Sequence, residues 1–286
     1  MKRRFDQVDV FSAVPLLGNP LAVVHAAQGL DDATLAAFAR WTNLSETAFL
    51  LPPIDPAADY RVRIFTPGGE LPFAGHPTLG SCWAWLAAGG QPQTAGVVVQ
   101  ECGVGLVRVR RQGQGQGQGV TQRLAFAAPP LRRSGPLDAI DLALIARALR
   151  LSAEDIVSAA WCDNGPGWCA VLLSSAAAVL AVEPDAANWR GHKLGLVGPH
   201  PAGNECDFEV RALYPMPTGL CEDPVTGSLN ASVAQWLIGA GLAPPRYVAA
   251  QGARLGRAGR VTIEQDGADI WVGGEVAACV AGEVTL

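Results

Sequence analysis

His76-Pro77-Thr78-Leu79-Gly80-Ser81 returns, altered, as Asp223-Pro224-Val225-Thr226-Gly227-Ser228. The proline, glycine and serine keep their spacing, and the first position is a proton-carrying group both times, imidazole and then carboxylate. The lead-ins are alike, Phe65-Thr66-Pro67-Gly68 against Tyr214-Pro215-Met216-Pro217, and each copy runs into apolar residues ending in Trp85-Leu86 and Trp236-Leu237. About half the chain separates the copies. The pattern reads as one folding unit used twice, bringing two acid–base groups to a shared cleft. A chance match of two Pro/Gly turns is the alternative, because a short motif gains weight only from its structural context.

In each copy an extended segment ends, a Gly/Pro loop turns and a helix begins. Pro77 and Pro224 are predicted in the first helical turn, where a missing N–H costs nothing. The N–H groups at such starts carry partial positive charge and form a cradle for a carboxylate. Ser81 and Ser228 are expected within about a turn of those starts.

Around the motif, Phe5 to Val10 and Tyr60 to Phe65 alternate apolar and polar residues as half-buried strands do. Further strands are predicted at Leu21–His25, Thr47–Leu51, Val97–Gln100, Gly105–Arg111, Gln122–Ala127, Ala159–Cys162, Trp168–Leu173 and Phe208–Tyr214. Arg260–Gln265 with Ile270–Glu275 reads as a hairpin, and Glu283–Leu286 as a separate last strand. Helices are predicted from Asp31-Asp32 to about Trp41, from His76-Pro77 to about Ala88, from Asp138 to Arg150, briefly after Ser152, and from Asp223-Pro224 to about Ala240. Gln112 to Gly119 alternates Gln and Gly and is expected to be a mobile loop tip. Arg108, Arg110 and Arg111 alternate on a strand and read as a solvated face. Pro129-Pro130 marks a domain boundary. No GxGxxG follows a strand and no GxxxxGK[ST] exists, so dinucleotide and P-loop readings lack their fingerprint.

The 286 residues carry a net charge of −5, 49% hydrophobic and 16% charged residues, which describes a globular chain with room for two domains. No Lys/Arg run is long enough to follow a phosphate backbone, so nucleic acid is not the expected partner. The seven cysteines are scattered, odd in number and without a CxxC pair. That favours a reduced, cytoplasmic setting, in which a Cys162–Cys169 disulfide is disfavoured, and argues against zinc. Met1-Lys2-Arg3-Arg4 resembles the start of a signal peptide, but Asp6, Asp9, Pro15 and Pro20 break up the stretch after it. No apolar run is long enough to span a membrane. His25, His192 and His200 read as structural or solvated.

The chain resembles the PhzF-like, phenazine-biosynthesis-like family of the diaminopimelate epimerase fold superfamily. The matching segments are Asp9-Val10-Phe11 with Gly18-Asn19-Pro20-Leu21-Ala22-Val23, Asn43-Leu44-Ser45-Glu46-Thr47 and Phe65-Thr66-Pro67. They continue with Phe73-Ala74-Gly75-His76-Pro77-Thr78, Asn164-Gly165-Pro166 with Trp168, and Glu222-Asp223-Pro224-Val225-Thr226-Gly227-Ser228. They stand in family order over nearly the whole chain. The resemblance implies an α+β fold of two similar domains, each a curved, mostly antiparallel sheet wrapped around a central helix, with the active cleft between them. The domains would be 1–128, joined by the strand 280–286, and 129–279. It implies a cofactor-independent isomerase, without metal, that is a homodimer. Glu46 is the implied acid/base, His76 and Asp223 further catalytic groups, and Gly75, Gly227, Ser228 and Asn19 the substrate contacts. The substrate class is a small carboxylate, trans-2,3-dihydro-3-hydroxyanthranilate in the phenazine enzyme.

The residue types fit this chemistry without the family. A C–H proton shift needs a base beside an activated carbon and an acid to return the proton, and a half-buried carboxylate serves both steps. From the residues alone Glu46 reads rather as an exposed Glu near the helix-to-strand turn after Trp41, and it is the resemblance that reverses this. Two rivals remain. Related epimerases on this fold use paired cysteines at the places of His76 and Asp223, but Cys82 and Cys221 are offset from those places. A non-catalytic small-molecule binder would have no need of a base. Cys221 stands where a small or polar residue is expected before Glu222-Asp223.

Overall fold

The structure, a computed structural model, describes residues 1–112, 123–189, 191–216 and 219–286. The Gln/Gly loop beyond Gln112 lies outside the described residues. The elements in chain order are β1 (Lys2–Val10), β2 (Asn19–Val24), α1 (Asp32–Thr42), β3 (Glu46–Leu51), β4 (Tyr60–Thr66), β5 (Gly69–Leu71), α2 (Gly75–Ala87), β6 (Val97–Cys102), β7 (Gly105–Gln112) and β8 (Arg123–Ala127). They continue as β9 (Arg133–Pro136), α3 (Ala139–Leu149), β10 (Ile156–Asp163), β11 (Trp168–Leu173), α4 (Ala176–Ala181), β12 (Lys193–Pro199), β13 (Phe208–Met216) and β14 (Gly219–Asp223). The last are α5 (Gly227–Gly239), β15 (Arg246–Gln251), β16 (Gly259–Asp266) and β17 (Asp269–Thr285). The fold is mixed and dominated by sheet. The chain separates into two compact units, Met1–Ala127 with Gly273–Leu286, and Ala128–Val272.

In the first unit, neighbouring strands run β17–β1–β2 antiparallel, β2–β3 parallel, β3–β4 antiparallel, β4–β6 parallel and β6–β7–β8 antiparallel. β8 returns to β17, so the ladder closes on itself. A closed ladder leaves no edge to satisfy. α2 fills its interior and touches β1, β2, β3, β4, β6, β7 and β8. Gly75 through Cys82 are all buried. Gly80 makes that fit possible, because a Cβ there would lie 2.5 Å from Leu21 Cδ2. α1 covers the outside, packing Leu35 and Phe38 against Val24, Phe49 and Phe65. Its start agrees with the sequence, as Asp31 Oδ1 accepts from Thr34 N, and Asn43 closes it with φ 54.

The second unit repeats the pairing order. β10–β11 is antiparallel, β11–β12 parallel, β12–β13 antiparallel, β13–β15 parallel and β15–β16 antiparallel. The short hairpin β4–β5 has its counterpart in β13–β14. α5 occupies the place of α2 in this order, with Gly227 and Leu229 through Ala234 buried. β9 pairs antiparallel with β10 as β17 does with β1, whereas α3 has no counterpart in that order; it packs Ile145 and Leu149 onto Val171, Leu196 and Leu213.

Three sequence expectations need correction. α5 starts at Gly227 with Thr226 as N-cap, so Pro224 precedes the helix and is not in its first turn. Ser81 is the seventh residue of α2, fully buried, not at its start. The predicted strand pieces 270–275 and 283–286 belong to one uninterrupted strand, β17. β5, β9, β12, β14, β15 and α4 were not legible at all. β12 and β15 are buried on most positions, and continuous burial erases the alternation by which strands are read.

Candidate active site

In the first unit the candidate groups gather at the start of α2. Gly75 and His76 are its first two residues. Glu46 opens β3 and is paired in register with Leu21, while Asn19, fully buried, opens β2. Gly18 allows the chain to enter β2 there, since a Cβ would fall 2.2 Å from the Val10 carbonyl oxygen. Glu46 Oε2 lies 3.4 Å from His76 Nδ1, with side chains 17% and 4% exposed. That spacing is a contact rather than a tight hydrogen bond.

Burial removes water from the His76 ring and pulls its pKa from 6.5 down to about 3, a shift only partly offset by a hydrogen bond to the Pro20 carbonyl. The imidazole is therefore neutral across the physiological range, and its Nε2 is buried with no hydrogen-bond partner among the described residues. A neutral imidazole does not lock Glu46 into an ion pair. The shift also has a consequence for stability. The unfolded chain binds the His76 proton below about pH 6.5, while the folded chain refuses it until about pH 3. The unfolded state thus holds more protons in that window, and stability falls as pH falls through it. Urea midpoints of His76→Gln should decline less than those of wild type between pH 7 and pH 4; identical declines would refute the buried neutral imidazole.

In the second unit the groups gather at the start of α5. Asp223 ends β14, and its Oδ2 accepts from Thr226 Oγ1 at 2.6 Å. Gly227 and Ser228 are the first two residues of the helix. Ser228 Oγ accepts from Trp168 Nε1 at 3.0 Å, and the Ser228 carbonyl accepts from Asn164 Nδ2 at 2.9 Å. Glu222, one residue before Asp223, faces the other way into a buried Arg211 pair.

The two helix starts share a device. α1, α3 and α4 are capped by the side chains of Asp31, Asp138 and Ser175, whereas α2 and α5 have no side-chain cap. Buried helix starts without caps call for another acceptor at their N–H groups. Each start is also braced from beneath. Thr78 Oγ1 donates to the Ala74 carbonyl and accepts from Gln100 Nε2, at 2.9 and 3.0 Å. Asn230 Nδ2 donates to the Thr226 carbonyl and to Gln251 Oε1, at 2.9 and 2.8 Å. Gln100 and Gln251 come from the strands that run parallel to β4 and β13.

These braces show that the residues equated by the repeated motif are not equivalent. His76 is second in α2, and its counterpart in α5 is Ser228 rather than Asp223, a slip of five positions. Asn164, Trp168, Thr226, Gln100 and Gln251 were not singled out as site residues. Asn164 and Trp168 carried a signal, because they lie in one of the matching segments; the two glutamines carried none.

The cysteines are all free. Cys82 is buried in α2, and desolvation pushes its thiol well above the ordinary range, the opposite of what an acid–base thiol needs. His25, His192 and His200 pair with Asp6, Asp141 and Glu209. Among the described residues no group of three or more His, Cys, Asp or Glu side chains is placed to hold a metal ion. No helix there is long and apolar enough to cross a membrane.

The sequence profile of the phenazine biosynthesis-like (PhzC-PhzF) family matches residues 8–282. The chain belongs to this family. It is 33% identical to an uncharacterized isomerase of Mesorhizobium japonicum, over 92% of this chain and 90% of that one. A predicted epimerase from Pseudomonas aeruginosa, solved as a structure, superposes with a TM-score of 0.76 at 30% identity, covering 99% of both chains. The trans-2,3-dihydro-3-hydroxyanthranilate isomerase of Pseudomonas fluorescens is 51% identical over 77 residues, 27% of each chain. As a member of this family the chain is an isomerase.

Proposed function

We propose that this family member moves a C–H proton on a small carboxylic acid by general acid/base catalysis, without a cofactor, as PhzF-like enzymes do. Glu46 takes the proton as the C–H bond breaks, the electron pair is delocalised into the substrate, and the same carboxyl returns the proton to a second carbon. His76 stays neutral and fixes the Glu46 side chain. Asp223 holds the substrate's amino or hydroxyl group or passes on its proton. Gly75 and Gly227 offer backbone N–H groups, Ser228 its hydroxyl and Asn19 its amide to the substrate's polar atoms. The uncapped helix starts stabilise negative charge on the substrate as it develops.

The observation that carries this reading is the placement of Glu46 3.4 Å from the ring of His76, at the uncapped start of a helix sealed inside the sheet. A structural ion pair would need a charged imidazole, and burial denies it. A mere binder would have no use for a carboxylate there. The first compound to test is the dihydro-hydroxyanthranilate in the name of the Pseudomonas fluorescens relative. Wild-type protein in D₂O should isomerise it, or a related unsaturated carboxylic acid, with deuterium appearing at the carbon that receives the proton. Binding without solvent exchange would favour the binder and reject the isomerase mechanism.

A further inference from the structure

Ser228 is gripped twice by the segment joining β10 to β11, at its carbonyl by Asn164 and at its hydroxyl by Trp168. Trp168 is the first residue of β11, 5% exposed, and its backbone is held by pairing with Lys193 of β12. Burial on top of that pairing, with the contact of Nε1 to Ser228 Oγ at 3.0 Å, holds the indole in place. An indole nitrogen only donates, whereas a serine hydroxyl has one proton and two lone pairs. At 3.0 Å the indole N–H occupies a lone-pair direction of Oγ, so the hydroxyl proton must leave along another. The backbone N–H groups at the start of α5 are donors and cannot receive it, and the Asp223 carboxylate there already accepts from Thr226 Oγ1 through its Oδ2.

We propose that Trp168 is a positioning residue for the isomerase reaction: its indole N–H makes the Ser228 hydroxyl a fixed donor, aimed at a substrate oxygen bound at the start of α5. The inference rests on Ser228 being a substrate-binding group, as in the function proposed above, and adds what sets the direction of its proton. A hydroxyl held as a donor beside the backbone N–H groups favours a carboxylate over a carboxamide, whose NH₂ would meet a donor. Without the indole the hydroxyl can turn to accept, and that preference weakens.

Two measurements on the full chain test this. In ¹H–¹⁵N spectra of the ligand-free protein, one of the eight tryptophan indole signals should move upfield in Ser228→Ala. In titrations with 3-hydroxyanthranilate, Ser228→Ala and Trp168→Phe should each weaken binding about five-fold, the loss of one neutral hydrogen bond. The double variant should be no weaker than either single one. Trp168→Phe should also narrow the preference for 3-hydroxyanthranilate over its carboxamide. If Trp168 only packs, no indole signal moves and the two losses multiply; either result overturns the proposal. Failure of the wild type to bind 3-hydroxyanthranilate would count against the functional reading, and the indole shift would still decide the role of Trp168, since it needs no ligand and only the fold of Ser228→Ala.

Discussion

Glu46→Gln is expected to slow solvent-deuterium incorporation into the substrate by roughly 10²–10⁴-fold, the range contributed by a positioned general base. The amide is nearly isosteric and keeps the hydrogen-bonding reach of the carboxyl toward His76, so the fold and substrate affinity should change little. The loss should therefore fall on kcat, with KM nearly constant. The mechanism predicts more than a slow enzyme. One carboxyl removes the proton and returns it, so both half-reactions, exchange and isomerisation, must fall together. A variant that still exchanges substrate hydrogen with D₂O at the wild-type rate would remove Glu46 from the role of base. The neutral His76 sharpens this test, because an imidazole that stays unprotonated down to about pH 3 cannot stand in as a charged acid.

The second large effect concerns the scaffold behind Asp223. Arg211 of β13 grips Glu222 of β14 with Nε and Nη2, at 3.1 and 2.9 Å, and its Nη1 donates to the Val179 and Val182 carbonyls at the end of α4. The two side chains are 4% and 11% exposed. Glu222→Ala would leave a buried guanidinium with carbonyl partners but no counter-charge, at a cost of about 3–5 kcal/mol. At about 2–4 °C per kcal/mol for a chain of this size, the melting temperature should drop by roughly 6–20 °C. The Arg211→Met/Glu222→Leu double variant removes both charges and should recover much of that loss. Because Glu222 and Asp223 point to opposite faces of one strand, freeing Glu222 should also loosen Asp223 and raise KM in whatever protein remains folded. A drop of less than about 1 kcal/mol would mean that the pair is hydrated in solution and holds nothing in place.

What the sequence determined by itself was local. Asp31-Asp32 opened α1, the alternation of Tyr60 to Phe65 marked β4, and Asp138 opened α3, because each depends on residues a few positions apart. The family's segments also named Glu46, His76, Asp223 and Ser228 through residue type and order. Tertiary structure decided the rest. The repeated Pro-x-x-Gly-Ser spacing looked like the register of the two halves, yet Pro77 lies inside its helix and Pro224 ahead of its own. Only the strand pairings and the braces from Gln100 and Gln251 reveal that His76 corresponds to Ser228. The approach of Glu46 to His76 joins positions 30 residues apart through the β2–β3 and α2 packing, and the His76 pKa comes from burial that no neighbour in sequence could signal. Capping and alternation act over one turn or one pleat and leave their mark in the order of residues. Desolvation and side-chain approach depend on which distant segments fill the same volume, and that is settled only when the sheet closes around its helix.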